Sequence, residues 1–382
     1  MTRPLRICFV NPYGYRLFDP ASAGPWTRPF AGAEVQQYYL ATALAAREDF
    51  DVRMIVEERA ERVAPAAEGV RMLPVPPRPP RVDRVRAFLP YPSVPYLRAM
   101  RRADADVYLQ RGGAVLTGDV ALFCRVTGRR FVFMVAHDWD CDRHHEQGRH
   151  LLTGRYYRAG LRAADLVYAQ SGLQRGNLRR HHGVESSVFR SVHPDRAPGP
   201  EPRDHVLWVS RCVEWKRPLA FLDLAARFPR TPFVMIAPRY PGGAELRADV
   251  ERRAAELGNV VVHDFVPFAD TAGFFARALA FVNTSDAEGF PNTFVQAARA
   301  ATPVLSLSVD PDGMLARAGM GFCAGGDPDR LAAELGRVLT DDATRERYGA
   351  CGRRYFLREH DLAAGVARFV ADLDRLRPPG TR

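Results

Sequence analysis

The sequence predicts an α/β protein built from two doubly wound, mostly parallel sheets, and three features carry that expectation. Short apolar runs of strand length alternate with segments of helical periodicity along most of the chain. The alternation breaks at "PDRAPGPEPRD" (Pro194 to Asp204), a stretch with the composition of an interdomain linker, and then restarts. At 382 residues and 47% apolar content, the chain is long enough for two separate cores. The expected division is a first domain at 1–196, a linker at 197–204, a second domain at 205–360, and a helix and tail at 361–382.

In the first half "RICFVNP" is an apolar run closed by Asn-Pro, which predicts a buried strand. A loop of about twenty residues follows, a length that usually signals function or disorder in compact domains. "GAEVQQYYLATALAAR" then repeats apolar residues at helical spacing. "VRMIVE", "DVYLQ", "RFVFMVAHD" and "LVYAQS" are strand-like, with the helical patterns "VALFCRVTG" and "RYYRAGLRAA" between them. Between Pro65 and Pro95 nine prolines stand among arginines, which predicts no regular core element there.

In the second half the strands are "HVLWVSR", "PFVMIAP", "NVVVHDF", "LAFVNTS" and "PVLSLS". The helices are "RPLAFLDLAARF", with Pro218 suited to a first turn, then "AELRADVERRAAEL", "TAGFFARA" and "PNTFVQAARAA". "LAAGVARFVADLDRL" closes the chain as an amphipathic helix. Two such halves predict a cleft between two sets of strand C-terminal ends, where open α/β sheets bind ligands.

Composition narrows the function classes. No run of about 18 apolar residues exists to span a membrane. "MTRPLRICFVNP" passes from one basic turn into a strand without the apolar core of a secretion signal, so a cytoplasmic location is expected. Six scattered cysteines form no CxxC pair, which argues against a zinc site or a disulfide framework. Residues 1–200 carry 30 basic and 20 acidic side chains, a net of +10, whereas residues 201–382 carry 24 of each. The excess in the first half suggests an anionic partner or surface there; a solvated arginine-rich face is the alternative.

One residue stands outside the compositional bias. Of 54 basic side chains, 53 are arginine and one, Lys216 in "VEWKRP", is lysine. Lysine is a compact point charge on a flexible stem, whereas arginine is a planar fork, so a site needing a cation tucked under a phosphate would retain it. A chance survivor on a solvated loop is the other reading. Arg211 ends a strand just before it, and two converging cations suit a diphosphate whose charge grows as it leaves. In "SDAEGFPNTFVQAA", Gly289 and Pro291 precede a helix whose first amides form a ready anion site, with Asn292 and Thr293 adding polar side chains. Glu288 is a poor phosphate neighbour but a good acceptor for sugar hydroxyls, and Gln296, in the second turn, is placed to bond a ribose.

"AGAEVQQYYLATALAAR", "VSRCVEWKRP" and "SDAEGFPNTFVQAARAATPVLSL" resemble the motifs of family-4 glycosyltransferases, retaining enzymes with two Rossmann-like domains in the GT-B fold. The resemblance implies that the C-terminal helix crosses back to the N-terminal domain. It implies that Arg211 and Lys216 bind the donor diphosphate, and that Glu288 contacts the transferred sugar. The backbone of Phe290, Pro291, Asn292 and Thr293, next to Gly289, lines sugar and phosphates. Gly32 and Ala33 approach the donor from the N-terminal domain, and His137, ending "FVFMVAH", matches the histidine that faces the reacting sugar. Where the family usually has a second glutamate, this chain has Gln296. An amide offers one acceptor oxygen where a carboxylate offers two, so nucleotide binding is expected to survive but weaken.

The expected reaction is therefore transfer of a sugar, with retained configuration, from a UDP- or GDP-linked donor to a glycan, lipid-linked or natural-product acceptor. No cofactor and no metal are expected, and no nucleic acid is an expected partner. The Arg/Pro-rich segment with Phe88, Leu89, Tyr91 and Tyr96, together with the loop holding Trp26, suggests peripheral contact with an anionic membrane face; a cradle for a soluble anionic or aromatic natural product and a plain irregular crossover are the other readings. A nucleotide-sugar epimerase and a non-catalytic sugar-nucleotide or glycan-binding protein are the alternatives. A nicotinamide dehydrogenase is disfavoured because no GxGxxG follows the first strand.

Overall fold

The computed structural model describes residues 3–19, 32–58, 63–77, 92–143, 151–195, 199, 202–239, 243–264, 266–267 and 270–377. Trp26, Phe88, Leu89, Tyr91, most of the Arg/Pro-rich segment and much of the expected linker lie outside them. The chain divides into two units: residues 1–194 with 362–382, and residues 195–361.

The first unit carries an eight-stranded sheet. Its strands are β1 (Leu5–Val10), β2 (Phe50–Glu57), β3 (Ala66–Ala67), β4 (Val70–Val75), β5 (Val107–Arg111), β6 (Arg130–Met134), β7 (Leu166–Ala169) and β8 (Ser187–Val188). They lie in the order β3-β4-β2-β1-β5-β6-β7-β8, and every pairing is parallel except β3 with β4. Both faces are covered, which is why these strands read as unbroken apolar runs. Leu40 and Leu44 of the Gly32–Ala45 helix pack on one face with Phe9, Val107 and Leu109. Tyr96, Val120 and Tyr157 pack on the other with Cys8 and Tyr108.

The C-terminal helix Leu362–Leu376 belongs to this unit, as expected, and adds Val366, Phe369 and Leu373 to the first of those cores. The expectation for Pro65–Pro95 needs correction. Val70–Val75 is a regular strand, parallel to β2 and largely buried, with Pro74 opposite Val56. β3 pairs only with Val70 and Arg71, so Pro74 lies on an outer edge where a missing N–H costs no ladder bond.

The second unit carries six parallel strands: β9 (His205–Val209), β10 (Phe233–Ile236), β11 (Val260–His263), β12 (Ala278–Asn283), β13 (Val304–Ser306) and β14 (Gly321–Cys323). Their order is β11-β10-β9-β12-β13-β14. Phe221, Val250 and Leu335 cover one face, and Phe275, Phe294 and Phe356 the other. Arg203, at the end of the expected linker, donates to the carbonyls of Ala300 and Ala301, both at 2.9 Å. Among the described residues, no helix is long and apolar enough to cross a membrane.

Candidate functional site

In the second sheet the strand order reverses between β9 and β12. β9, β10 and β11 step outward on one side, and β12, β13 and β14 on the other. The loops leaving these two neighbours therefore separate above adjacent strand ends, the place where an open α/β sheet has room for a ligand.

After β9 the chain runs through exposed Arg211, buries Cys212 and Val213, and makes a single 3-10 turn, Glu214–Lys216. Arg217 follows in the left-handed region (φ 48°, ψ 55°), a conformation that costs a non-glycine residue about 1–2 kcal/mol. Pro218 then opens the next helix. Strain of this kind persists where surrounding contacts over-determine it.

Those contacts come from the loop after β12. The hydroxyl of Thr284 donates to the carbonyl of Lys216 at 2.8 Å and accepts from the indole N–H of Trp208 at 2.9 Å. The amide of Asp286 donates to the carbonyl of Trp215 at 2.9 Å. With its backbone pinned, Lys216 is 7% exposed, and its ammonium lies 2.5 Å from Oε1 of Glu288. The same oxygen accepts from the hydroxyl of Ser285 at 2.8 Å, and Asn283 donates to that hydroxyl at 3.2 Å. Among the described residues Glu288 is the one ion-pair partner of the ammonium.

The other predicted residues take distinct places. The guanidinium of Arg211 lies 5.9 Å from the ring centre of Trp215. Gly289, Phe290 and Pro291 are buried, Phe290 against His360 at 5.6 Å between ring centres. Asn292 and Thr293 open the helix Asn292–Arg299 half-buried, and Oδ1 of Asn292 is a buried acceptor without a partner among the described residues. Gln296 is 7% exposed, and its carbonyl oxygen accepts from the Thr271 hydroxyl at 3.4 Å. Sequence reasoning missed Thr271, Thr284 and Ser285, whose roles arise only through partners distant in the chain or around a loop.

In the first unit Gly32 and Ala33 are half-buried at the start of their helix. His137 is exposed just past β6, and its Nδ1 accepts from the amide of Trp139 at 3.2 Å. A neutral imidazole whose Nδ1 accepts carries its proton on Nε2, so the free edge of His137 is a donor. The loop is fixed by buried Asp140, whose carboxylate accepts from the amides of Gly113 (2.9 Å), Ala136 (2.8 Å) and His137 (3.0 Å). Burial pushes the neighbouring Asp138 carboxyl up, although the Gln174 amide donates to it at 2.9 Å and opposes the shift.

Solved structures share this architecture over nearly the whole chain. Sucrose-phosphate synthase from Thermosynechococcus elongatus superposes with a TM-score of 0.75 at 16% identity, covering 98% of this chain and 99% of that one. HepE from Anabaena, in complex with UDP and glucose, gives 0.73 at 15% identity, covering 97% and 100%. These likenesses are of fold alone, and that fold is of the GT-B type.

More narrowly, the chain is a family-4 glycosyltransferase. Residues 30–194 match Glycosyltransferase Family 4, and residues 203–341 match Glycosyl transferases group 1. A curated relative, the Vi polysaccharide biosynthesis protein VipC/TviE of Salmonella typhi, is 34% identical over 103 residues. That match spans 26% of this chain and 17% of the relative.

Proposed function

We propose that this protein moves a sugar from a nucleoside-diphosphate sugar to a glycan or lipid-linked acceptor, with retention of configuration and without a metal or other cofactor. The observation that carries the reading is the buried Lys216 ammonium, held 2.5 Å from Glu288 where the strand order reverses. An ammonium fixed by one carboxylate keeps two N–H bonds for phosphate oxygens. The amides at the start of the Asn292–Arg299 helix and the Arg211 guanidinium add to the same field. When the bond from the anomeric carbon to the phosphate oxygen breaks, its electron pair goes to the diphosphate, and this fixed positive field stabilises the growing charge. The acceptor hydroxyl attacks from that same face and gives its proton to the departing phosphate. His137 donates from Nε2 to the transferred sugar, while Gly32 and Ala33 let backbone approach the donor closely. The binding of UDP and glucose by HepE and the polysaccharide role in the Salmonella relative's name support the donor and acceptor classes.

A thermal-shift panel of UDP, GDP, ADP and their sugars tests the reading. One base is expected to raise the melting temperature, by mass action on the folded state, and no response to any of them overturns it. The same panel on Gln296→Glu is expected to give equal or tighter binding of that nucleotide. A loss of about tenfold, 1.4 kcal/mol, would show that Gln296 does not stand in for an acid.

Association with an anionic membrane face fits a lipid-linked acceptor. On the first unit, exposed Val94, Leu122 and Val126 share one depression with Arg98, Arg101 and Arg129. Flotation with anionic vesicles is expected to recover the protein at low salt and release it at high salt. An absence of low-salt binding ends that part of the proposal.

A further inference from the structure

The first sheet has its own reversal of strand order, between β1 and β5. β1, β2 and β4 step to one side, and β5 to β8 to the other, so the ends of β1 and β5 flank a natural ligand position. Arg111 is the last residue of β5, and Gly112, at φ +88°, turns the chain off the strand directly after it. The pairs Phe9–Leu109 and Val10–Gln110 bring Asn11 level with Arg111. Phe9 and Leu109 both lie in the core beneath the Gly32–Ala45 helix, so two residues further on Asn11 and Arg111 point to that same face. Glu34, in the first turn of that helix, is near enough to act on Arg111 electrostatically, and Gln37 is buried one turn later.

Three buried polar atoms meet no partner among the described residues in this region: Nε of Arg111, Nδ2 of Asn11 and Oε1 of Gln37. Their side chains are 8%, 2% and 2% exposed. Among the described residues the Arg111 side chain makes one hydrogen bond, from Nη2 to the neutral amide oxygen of Gln170 at 2.7 Å. No ion pair joins it to a carboxylate among the described residues, and the oxygens of nearby Asp140 are taken by backbone amides. Burial draws its pKa down to about 10, which leaves it a cation at neutral pH. The partner that Arg111 hydrogen-bonds is neutral, with the Glu34 and Asp140 carboxylates acting on it only at longer range, and its planar fork matches a carboxylate or phosphate.

We propose that Arg111, level with Asn11 of the neighbouring strand, holds the negatively charged group of the acceptor, so that this enzyme selects acceptors bearing a carboxylate or a phosphate. The proposal rests on the transferase reading above for the word acceptor, but the binding it describes does not depend on the donor site.

The test is calorimetric titration of the full chain with glucuronate, glucose 6-phosphate and glucose, with and without saturating UDP. One acid is expected to bind at least about tenfold tighter than glucose, and which one identifies carboxylate or phosphate as the preferred group. The preference should vanish in Arg111→Gln and survive in Lys216→Ala. Should Arg111→Gln fail to fold, Arg111→Lys carries the test: it keeps the charge without the fork, and the preference should shrink. Equal binding of glucose, no binding of either acid, or a preference that persists in the Arg111 variants overturns the proposal. Acid preference without any nucleotide response would instead overturn the transferase reading and leave this one standing.

Discussion

Lys216→Ala is expected to lower the turnover of sugar transfer by about 100- to 1,000-fold, the usual loss when one fixed donor is removed from a developing anion. The size follows from burial. A cation in bulk water would be screened, whereas this one is 7% exposed and held from two sides. Its backbone is pinned by Thr284 and its ammonium by Glu288, so little reorganisation accompanies the charge change. Lys216→Arg is expected to recover little, because a planar fork does not fit a slot shaped for a point charge 2.5 Å from a carboxylate oxygen. Folding should tolerate the alanine better than catalysis does. Glu288 keeps the Ser285 hydroxyl and is 17% exposed, so its charge is not stranded in a dry interior. Steady-state turnover, read beside the melting temperature, checks both statements. A turnover loss under about tenfold in a folded variant would remove the ammonium from the chemistry.

The parts of this molecule that were legible in the sequence are those whose physics is local. Strands buried on both faces become apolar runs, and so β1, β5, β6, β9, β10 and β12 could be read directly. The Leu362–Leu376 helix showed its amphipathic period. Lys216 was conspicuous because a strong arginine bias had left it alone, and Glu288 because it opens a helix-entry loop. What stayed hidden depends on partners far apart in sequence. Thr284 reaches Lys216 across 68 positions, and Arg111 reaches Gln170 across 59. β4 was obscured by Pro74, whose tolerance depends on lying beyond a two-residue neighbour. The helices Pro328–Thr340 and Asp342–Glu359 went unread; the second turns so much arginine to solvent that its apolar stripe is thin. Arg111 itself looked like one more arginine among 53; Arg53 and Arg247 are as deeply buried, but they pair with Asp51 and Glu251, whereas among the described residues Arg111 hydrogen-bonds only a neutral amide.

Phe369→Ala is expected to destabilise the first unit by about 3–5 kcal/mol, the usual cost of emptying a buried phenylalanine site. Phe369 is 0% exposed, with its ring centre 6.0 Å from that of Tyr168 and 5.8 Å from that of Phe189. The site has little freedom to collapse around a cavity, because the helix that carries Phe369 is tied at several points. The Tyr168 hydroxyl donates to Asp372 at 2.8 Å, and the amide of Leu362 donates to the carbonyl of His193 at 3.0 Å. At Gly365 a methyl group would come within 2.3 Å of Val192, so the helix lies close against the segment that follows β8. Because the core beneath is shared with β1, β2 and β5, its loss is expected to reach strands more than 250 positions earlier in the chain. Leu357→Ala, at a side chain 45% exposed, is the matched control and should stay within about 0.5 kcal/mol of the parent. Urea unfolding followed by circular dichroism measures both. A Phe369→Ala midpoint indistinguishable from that of Leu357→Ala would mean that the returning helix does not hold the first core together.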